Sequence, residues 1–155
     1  MRVNEKPEKP TRILFVCLAN MCRSPMARII AEEICGDSIN ADSAGVAPVL
    51  GPIFPDTRLY VRDLLGIDLV DHEPRHVLEY PVASYDYIIA MDSSVFMTLT
   101  EMKEIPKDKL YGWDIPDPCG SGAGAYERTA QAIETNLERF LQNREMERGI
   151  KGGTP

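Results

Sequence analysis

Two cysteines, an arginine and a serine–proline pair lie close together in Cys17-Leu18-Ala19-Asn20-Met21-Cys22-Arg23-Ser24-Pro25. The run begins at the end of an apolar stretch and closes at a helix start. Successive backbone N–H groups in so tight a loop form a concave nest for an anion. The helix start adds unpaired N–H donors and the positive end of a dipole. Arg23 can close the ring by gripping two anion oxygens at once. The same field favours the thiolate of Cys17 over its thiol. A thiolate at the base of an oxyanion cradle is a nucleophile aimed at the anion's central atom. An ester phosphate meets these demands. Three oxygens sit in the nest, and the fourth stands opposite the sulfur, in line for displacement.

The departing oxygen then needs a proton from an acid across the pocket, on a distant loop. Asp114-Ile115-Pro116-Asp117-Pro118 supplies two candidates. Asp117 is preferred to Asp114, because prolines on both sides restrict its backbone. A phosphate beside it keeps the carboxyl protonated. Once the first step is over, the same group can deprotonate the attacking water. Cys17, Cys22 and His72 have the right types for a metal site, but no fourth ligand stands at a standard spacing. Neither a metal nor a cofactor is therefore expected.

The apolar run Ile13–Leu18 reads as a strand buried on both faces. A helix follows from Pro25 to about Cys35, with Ser24 as N-cap, Pro25 in first position and Gly36 as the stop. Ser38–Ser43 is a weaker strand. Pro55–Leu65 is a helix stopped by Gly66, and Tyr87–Met91 is a second strong strand. Ser93–Met102 is a short helix and Leu110–Trp113 a last short strand. Ala130, Ile133, Leu137, Phe140 and Leu141 repeat at helical spacing within a helix from about Tyr126 to Met146. Strand then helix, four times over, predicts an α/β sandwich on a small parallel sheet. Such sheets bind ligands beyond the carboxyl ends of their strands, so chemistry is expected just after Leu18, Met91 and Trp113. Residues 1–11 read as a flexible arm, 12–148 as one domain and 149–155 as a frayed tail.

The chain has 155 residues, 44% apolar and 26% charged, enough for one packed core. Seventeen Lys and Arg stand against 24 Asp and Glu, a net charge of −7. An acidic surplus argues against a nucleic-acid partner, so an anion must be held by a local site. No run is long and apolar enough to span a membrane, and no secretory h-region is visible. Four unevenly spaced cysteines fit a reduced, cytoplasmic protein.

Cys-(five residues)-Arg-Ser-Pro near the start, with Asp117-Pro118 about a hundred residues later, resembles the low-molecular-weight protein tyrosine phosphatases. Asp42-Ser43-Ala44-Gly45, Asp56-Thr57-Arg58, Asp71-His72 with Arg75, and Met91-Asp92 add to the likeness, which covers roughly Arg12 to Leu141. The resemblance implies a flavodoxin-like three-layer sandwich with a four-stranded parallel sheet, a phosphocysteine intermediate and no metal. It implies Cys17 as nucleophile, Arg23 as phosphate clamp and Asp117 as general acid. Leu18, Ala19, Asn20, Met21, Cys22, Arg23 and Ser24 become the phosphate-binding loop. Ser24 matches a hydroxyl that aids the thiolate as leaving group. Asn20, Ser43 and His72 match a network that supports the loop, and Cys22 matches a second cysteine that can bond reversibly to the nucleophile.

Four departures stand out. Ala19 replaces a glycine, Val95 an asparagine, and Cys119 the aromatic residue that follows Asp-Pro. Val49 and Leu50 lie where an early aromatic or histidine is usual, and Phe54 is a nearby substitute. The expected partner is a phosphorylated protein or a small phosphomonoester, with the chain a monomer or weak dimer. The competing readings are an arsenate reductase on the same fold and a non-catalytic phosphate-binding module.

Overall fold

The computed structural model describes residues 9–152. Residues 1–8 of the expected arm and 153–155 of the expected tail lie outside the described residues. Four parallel strands, β1 (Thr11–Cys17), β2 (Ile39–Gly45), β3 (Tyr87–Ala90) and β4 (Leu110–Gly112), form one sheet in the order β2-β1-β3-β4. They alternate with α1 (Arg23–Cys35), α2 (Pro55–Leu65), α3 (Ser93–Glu101) and α4 (Ala123–Gly152).

β1 is buried on both faces because it is central and covered on each side. Ile13 and Phe15 pack with Met26 and Ile30 of α1 and with Ile133, Leu137 and Phe140 of α4. Leu14 and Val16 point the other way, onto Val95 and Leu99 of α3. Alternate residues of one strand thus anchor two helical layers. Each such fully buried side chain stabilises the fold by roughly 1.5–3 kcal/mol. The predicted stripe on α4 is core, with Leu141 half-buried at its end.

β1 lies between β2 and β3, so the chain crosses first to one side of it and later to the other. That reversal opens a crevice at the carboxyl edge beside β1. The segments after β1, β3 and β4 all emerge there.

Several boundaries differ from expectation. β1 ends at Cys17, and Leu18 is half exposed rather than part of the strand. β1 also begins at Thr11, within the expected arm, because Thr11 pairs with Ile39. Gly36–Ser38 is a short 3-10 turn, and β2 runs from Ile39 through Gly45, held by its register with β1. α1 starts at Arg23, two residues earlier than expected, since the Met26 amide already bonds to the Cys22 carbonyl at 3.0 Å. Ser24 is therefore not the N-cap. α4 begins at Ala123 and continues to Gly152, past a lone Gly149. One glycine costs a helix only about 1 kcal/mol and does not stop it.

Candidate active site

The loop from Cys17 to Ser24 is held from behind. The carbonyls of Cys17, Leu18 and Ala19 accept from the amides of Val46, Ala47 and Val49 at 3.1, 2.8 and 3.3 Å. The Asn20 carbonyl accepts from His72 Nε2 at 2.8 Å. In a planar trans peptide the carbonyl and the next N–H point opposite ways. The amides of Leu18, Ala19, Asn20 and Met21 therefore face the concave side. The Asn20 amide does so visibly, 3.3 Å from Cys17 Sγ.

Asn20 has a φ of 57°, and no other non-glycine residue described has a positive φ. The left-handed region is disfavoured for a side chain. Here three bonds offset the strain: Nδ2 donates to Ser24 Oγ (2.9 Å) and Ser43 Oγ (3.0 Å), and Oδ1 accepts from the Arg75 amide (3.0 Å). Ala19, in place of glycine, sits at an ordinary φ and fits its position. The glycine that the loop does need is Gly45 on β2. A Cβ there would lie 2.8 Å from the Leu18 carbonyl oxygen and 3.0 Å from the Asn20 nitrogen. Both are backbone atoms that cannot swing aside. Sequence spacing does not show this approach, because it is made by a neighbouring strand.

Cys17 is buried at the loop's base, and its Sγ is 2.9 Å from Ser24 Oγ. That hydroxyl has one proton and a second acceptor, the Ala44 carbonyl at 3.2 Å. When Cys17 carries its proton, S–H donates to Oγ and the hydroxyl turns to Ala44. When Cys17 is a thiolate, the hydroxyl turns to sulfur. Cys22 faces α2 and α4 instead, with Thr57 Oγ1 at 3.3 Å and Tyr126 OH at 3.6 Å. Burial pushes the Cys22 pKa up to about 11, and Cys119 and Asp117 add to the rise. Cys22 therefore stays a thiol at neutral pH.

Arg23 is almost fully buried. Its Nη1 donates to Asp92 Oδ2 at 2.6 Å and to the Ile115 carbonyl at 3.2 Å. One nitrogen carries both bonds, and the rest of the fork can face two anion oxygens. The other oxygen of Asp92 caps α3 by accepting from the Val95 amide at 2.8 Å. Burial would raise the Asp92 pKa, but that amide and Arg23 outweigh it and hold the carboxyl below its ordinary value. Sequence reasoning gave Asp92 no role. Its signal was an aspartate after a strand and before Ser93-Ser94, a helix start.

The segment that carries Asp117, the expected acid, rests on fewer bonds. The Ile115 amide continues the β3 pairing to the Met91 carbonyl at 2.8 Å. Thr129 Oγ1, fully buried on α4, donates to the Pro116 carbonyl at 3.0 Å. Asp117 is exposed, and its Oδ1 accepts from the Cys119 amide at 3.1 Å. Asp114 is also exposed, but lies between buried Trp113 and Ile115. The structure thus gathers Cys17, Arg23, Ser24, Asn20, Ser43 and His72 around one loop, with Asp117 on the facing segment. Among the described residues no three His, Cys, Asp or Glu side chains converge as a metal site.

A family model described as low molecular weight phosphotyrosine protein phosphatase matches residues 12–149. The low molecular weight protein-tyrosine-phosphatase YfkJ of Bacillus subtilis is 32% identical, over 89% of this chain and 98% of that protein. A protein-arginine-phosphatase of Geobacillus stearothermophilus is 28% identical, over 89% and 99%. Among solved structures, a low molecular weight protein tyrosine phosphatase from T. tengcongensis superposes with a TM-score of 0.75 at 28% identity. That match covers 86% of this chain and 99% of the other. The sheet order, the nest and the buried cysteine define a cysteine-dependent phosphatase. This chain belongs to the low molecular weight phosphotyrosine protein phosphatase family.

Proposed function

We propose that this protein hydrolyses phosphomonoesters, phosphotyrosine in proteins first among them, through a phosphocysteine on Cys17. The observation that carries the reading is Cys17 Sγ at the base of the loop, 3.3 Å from the Asn20 amide and 2.9 Å from Ser24 Oγ. The nest and Arg23 hold three phosphate oxygens. The Cys17 thiolate attacks phosphorus, the bond to the ester oxygen breaks, and Asp117 gives that oxygen its proton. Water then attacks the phosphocysteine and passes a proton to Asp117. The P–S bond breaks, inorganic phosphate leaves, and the Ser24 hydroxyl turns to receive the returning thiolate. Asn20, Ser43 and His72 keep the nest in shape. A nucleophile that must stay reduced supports a cytoplasmic protein; no helix described is long and apolar enough to cross a membrane.

The test is release of p-nitrophenol from p-nitrophenyl phosphate, with reductant and EDTA present. Cys17→Ser should lower turnover by about 10,000-fold or more and still bind vanadate. Residual turnover above roughly a tenth of the parent's would overturn the nucleophile assignment. Phosphotyrosine and phosphoarginine, compared side by side, separate the substrates named for the two relatives.

A further inference from the structure

We infer that Thr57 and Tyr126 are positioning residues for the hydrolysis: through Cys22 they tie the phosphate loop to the turn of α4 that also holds the acid-bearing segment, and so set nucleophile and proton donor at a fixed spacing. The inference rests on the phosphatase reading above. It starts from three side chains to which that mechanism gives no step. Cys22 Sγ lies 3.3 Å from Thr57 Oγ1 and 3.6 Å from Tyr126 OH, and the two hydroxyl oxygens lie 2.5 Å apart. The three groups belong to the phosphate loop, α2 and α4, so one small cluster joins three separate segments.

Each of the three groups carries one proton and can accept another. Three protons and three contacts close into a ring in which every group donates once and accepts once. Cys22, Thr57 and Tyr126 are all buried, so deleting one hydroxyl leaves a buried partner short of a bond. The Tyr126 ring is steadied by Tyr60, with centroids 5.1 Å apart. Cys22 is the N-cap of α1 and the residue before Arg23, yet its side chain caps nothing. It reaches sideways into the ring instead. The ring therefore holds the point where the phosphate loop turns into α1, next to Arg23.

Tyr126 and Thr129 stand three residues apart, hence on one face of α4. Thr129 Oγ1 donates to the Pro116 carbonyl at 3.0 Å, on the residue just before Asp117. One turn of α4 thus bonds to the phosphate loop through the ring and to the acid segment through Thr129. Arg23 reaches the Ile115 carbonyl directly at 3.2 Å. Adjacent residues of one loop are therefore fastened to the acid segment by two routes, one direct and one through α4. Proton delivery to a leaving oxygen tolerates little error in that spacing. The shape of the nest is secured elsewhere, because its carbonyls are held by Val46, Ala47, Val49 and His72. Loss of the ring should thus misplace the acid relative to the nest and leave phosphate binding intact.

Phenyl phosphate has a poor leaving group and p-nitrophenyl phosphate a good one, so the ratio of their kcat/KM values reports proton delivery. Tyr126→Phe and Thr57→Val each remove one hydroxyl and change little volume. Each should lower kcat/KM by about tenfold for phenyl phosphate and by about twofold or less for p-nitrophenyl phosphate. The inhibition constant of inorganic phosphate should stay within about twofold of the parent's, a result that general loosening of the fold would not give. Thr57→Ser keeps the hydroxyl and should return the ratio to the parent's. Urea denaturation shows which variants are folded at the assay temperature, and either hydroxyl deletion alone carries the test. Equal losses for the two esters overturn the inference, as does an unchanged ratio. So does a loss matched by weaker phosphate binding, or a Thr57→Ser variant that behaves like Thr57→Val. If the parent hydrolyses neither ester, the phosphatase reading itself fails.

Discussion

In the phosphate loop, every backbone carbonyl from Cys17 to Asn20 is taken by a donor from a neighbouring segment. In the acid loop, Asp117 stands exposed with the Cys119 amide on its carboxylate. The two segments meet at one sheet edge and share one direct bond, from Arg23 to the Ile115 carbonyl. Their difference suits the tasks proposed for them. A nest that stabilises a phosphoryl group in transfer must not reorganise as charge moves, so its dipoles are fixed in advance. An acid that exchanges its proton with water and admits a bulky ester needs access more than rigidity. The chain spends its buried polar bonds accordingly.

The largest test of this contrast is Asp117→Asn. Esters with poor leaving groups should slow by about 10²–10⁴, and those with good leaving groups much less. Rates across a series of aryl phosphates would show it. Equal losses for all esters would move the acid role to Asp114. Next comes Gly45→Ala, which strikes the rigid loop from a strand that touches no substrate. Its methyl group must displace the Leu18 carbonyl or the Asn20 amide. A shift of about 1 Å in the nest should cost roughly 100-fold in kcat, with stability lowered by about 1–3 kcal/mol. Unchanged vanadate affinity in this variant would show that the nest tolerates movement.

Thr129→Val attacks the acid loop's anchor. It removes the donor to the Pro116 carbonyl and should lower stability by about 1 kcal/mol in urea denaturation. Turnover of poor leaving groups should fall several-fold, more than that of good ones, since the Pro116 carbonyl adjoins Asp117, the proposed proton donor. A uniform loss would mean the loop serves binding instead.

The smallest effect is in pH. Burial lowers the His72 pKa from its ordinary 6.5, and Arg28 and Arg75 lower it further, against the opposing bond to the Asn20 carbonyl. Asp42, Asp71, Glu73 and Tyr80 line the same pocket as His72. Unfolded His72 therefore binds a proton at higher pH than folded His72. The stability it contributes is complete above about pH 6.5 and is lost as pH falls through the lowered value. Denaturant midpoints should thus fall more steeply below about pH 6.5 in the parent than in His72→Gln. Parallel profiles would remove His72 from the loop's pH response.

Much of this was legible before any coordinates. Strands β1 and β3 announce themselves as runs of apolar residues, because a strand covered on both faces has no polar side to show. Gly66 ends α2 in the left-handed region where a stop was expected. Cys17, Arg23 and Asp117 were singled out from residue type and spacing. Ser24 was misjudged as a cap, because a serine before proline at a helix start has two uses and local sequence cannot choose between them. Its hydroxyl is claimed by Cys17, Asn20 and Ala44. Asp92 and Thr129 were given no role because their partners lie 69 and 13 residues away in the chain.

What the sequence determined by itself was the alternation of strands and helices, and the residues on which the proposed anion nest and its sulfur chemistry rest. These follow from hydrophobic period, turn residues and local spacing, all within a few residues of chain. Only the tertiary structure decided which carbonyls are held from behind, which oxygen orients Arg23, why Gly45 admits no side chain, and which way Cys22 faces. Those are contacts between segments distant in sequence, brought together when burial of β1 on both faces sets the register of its neighbours.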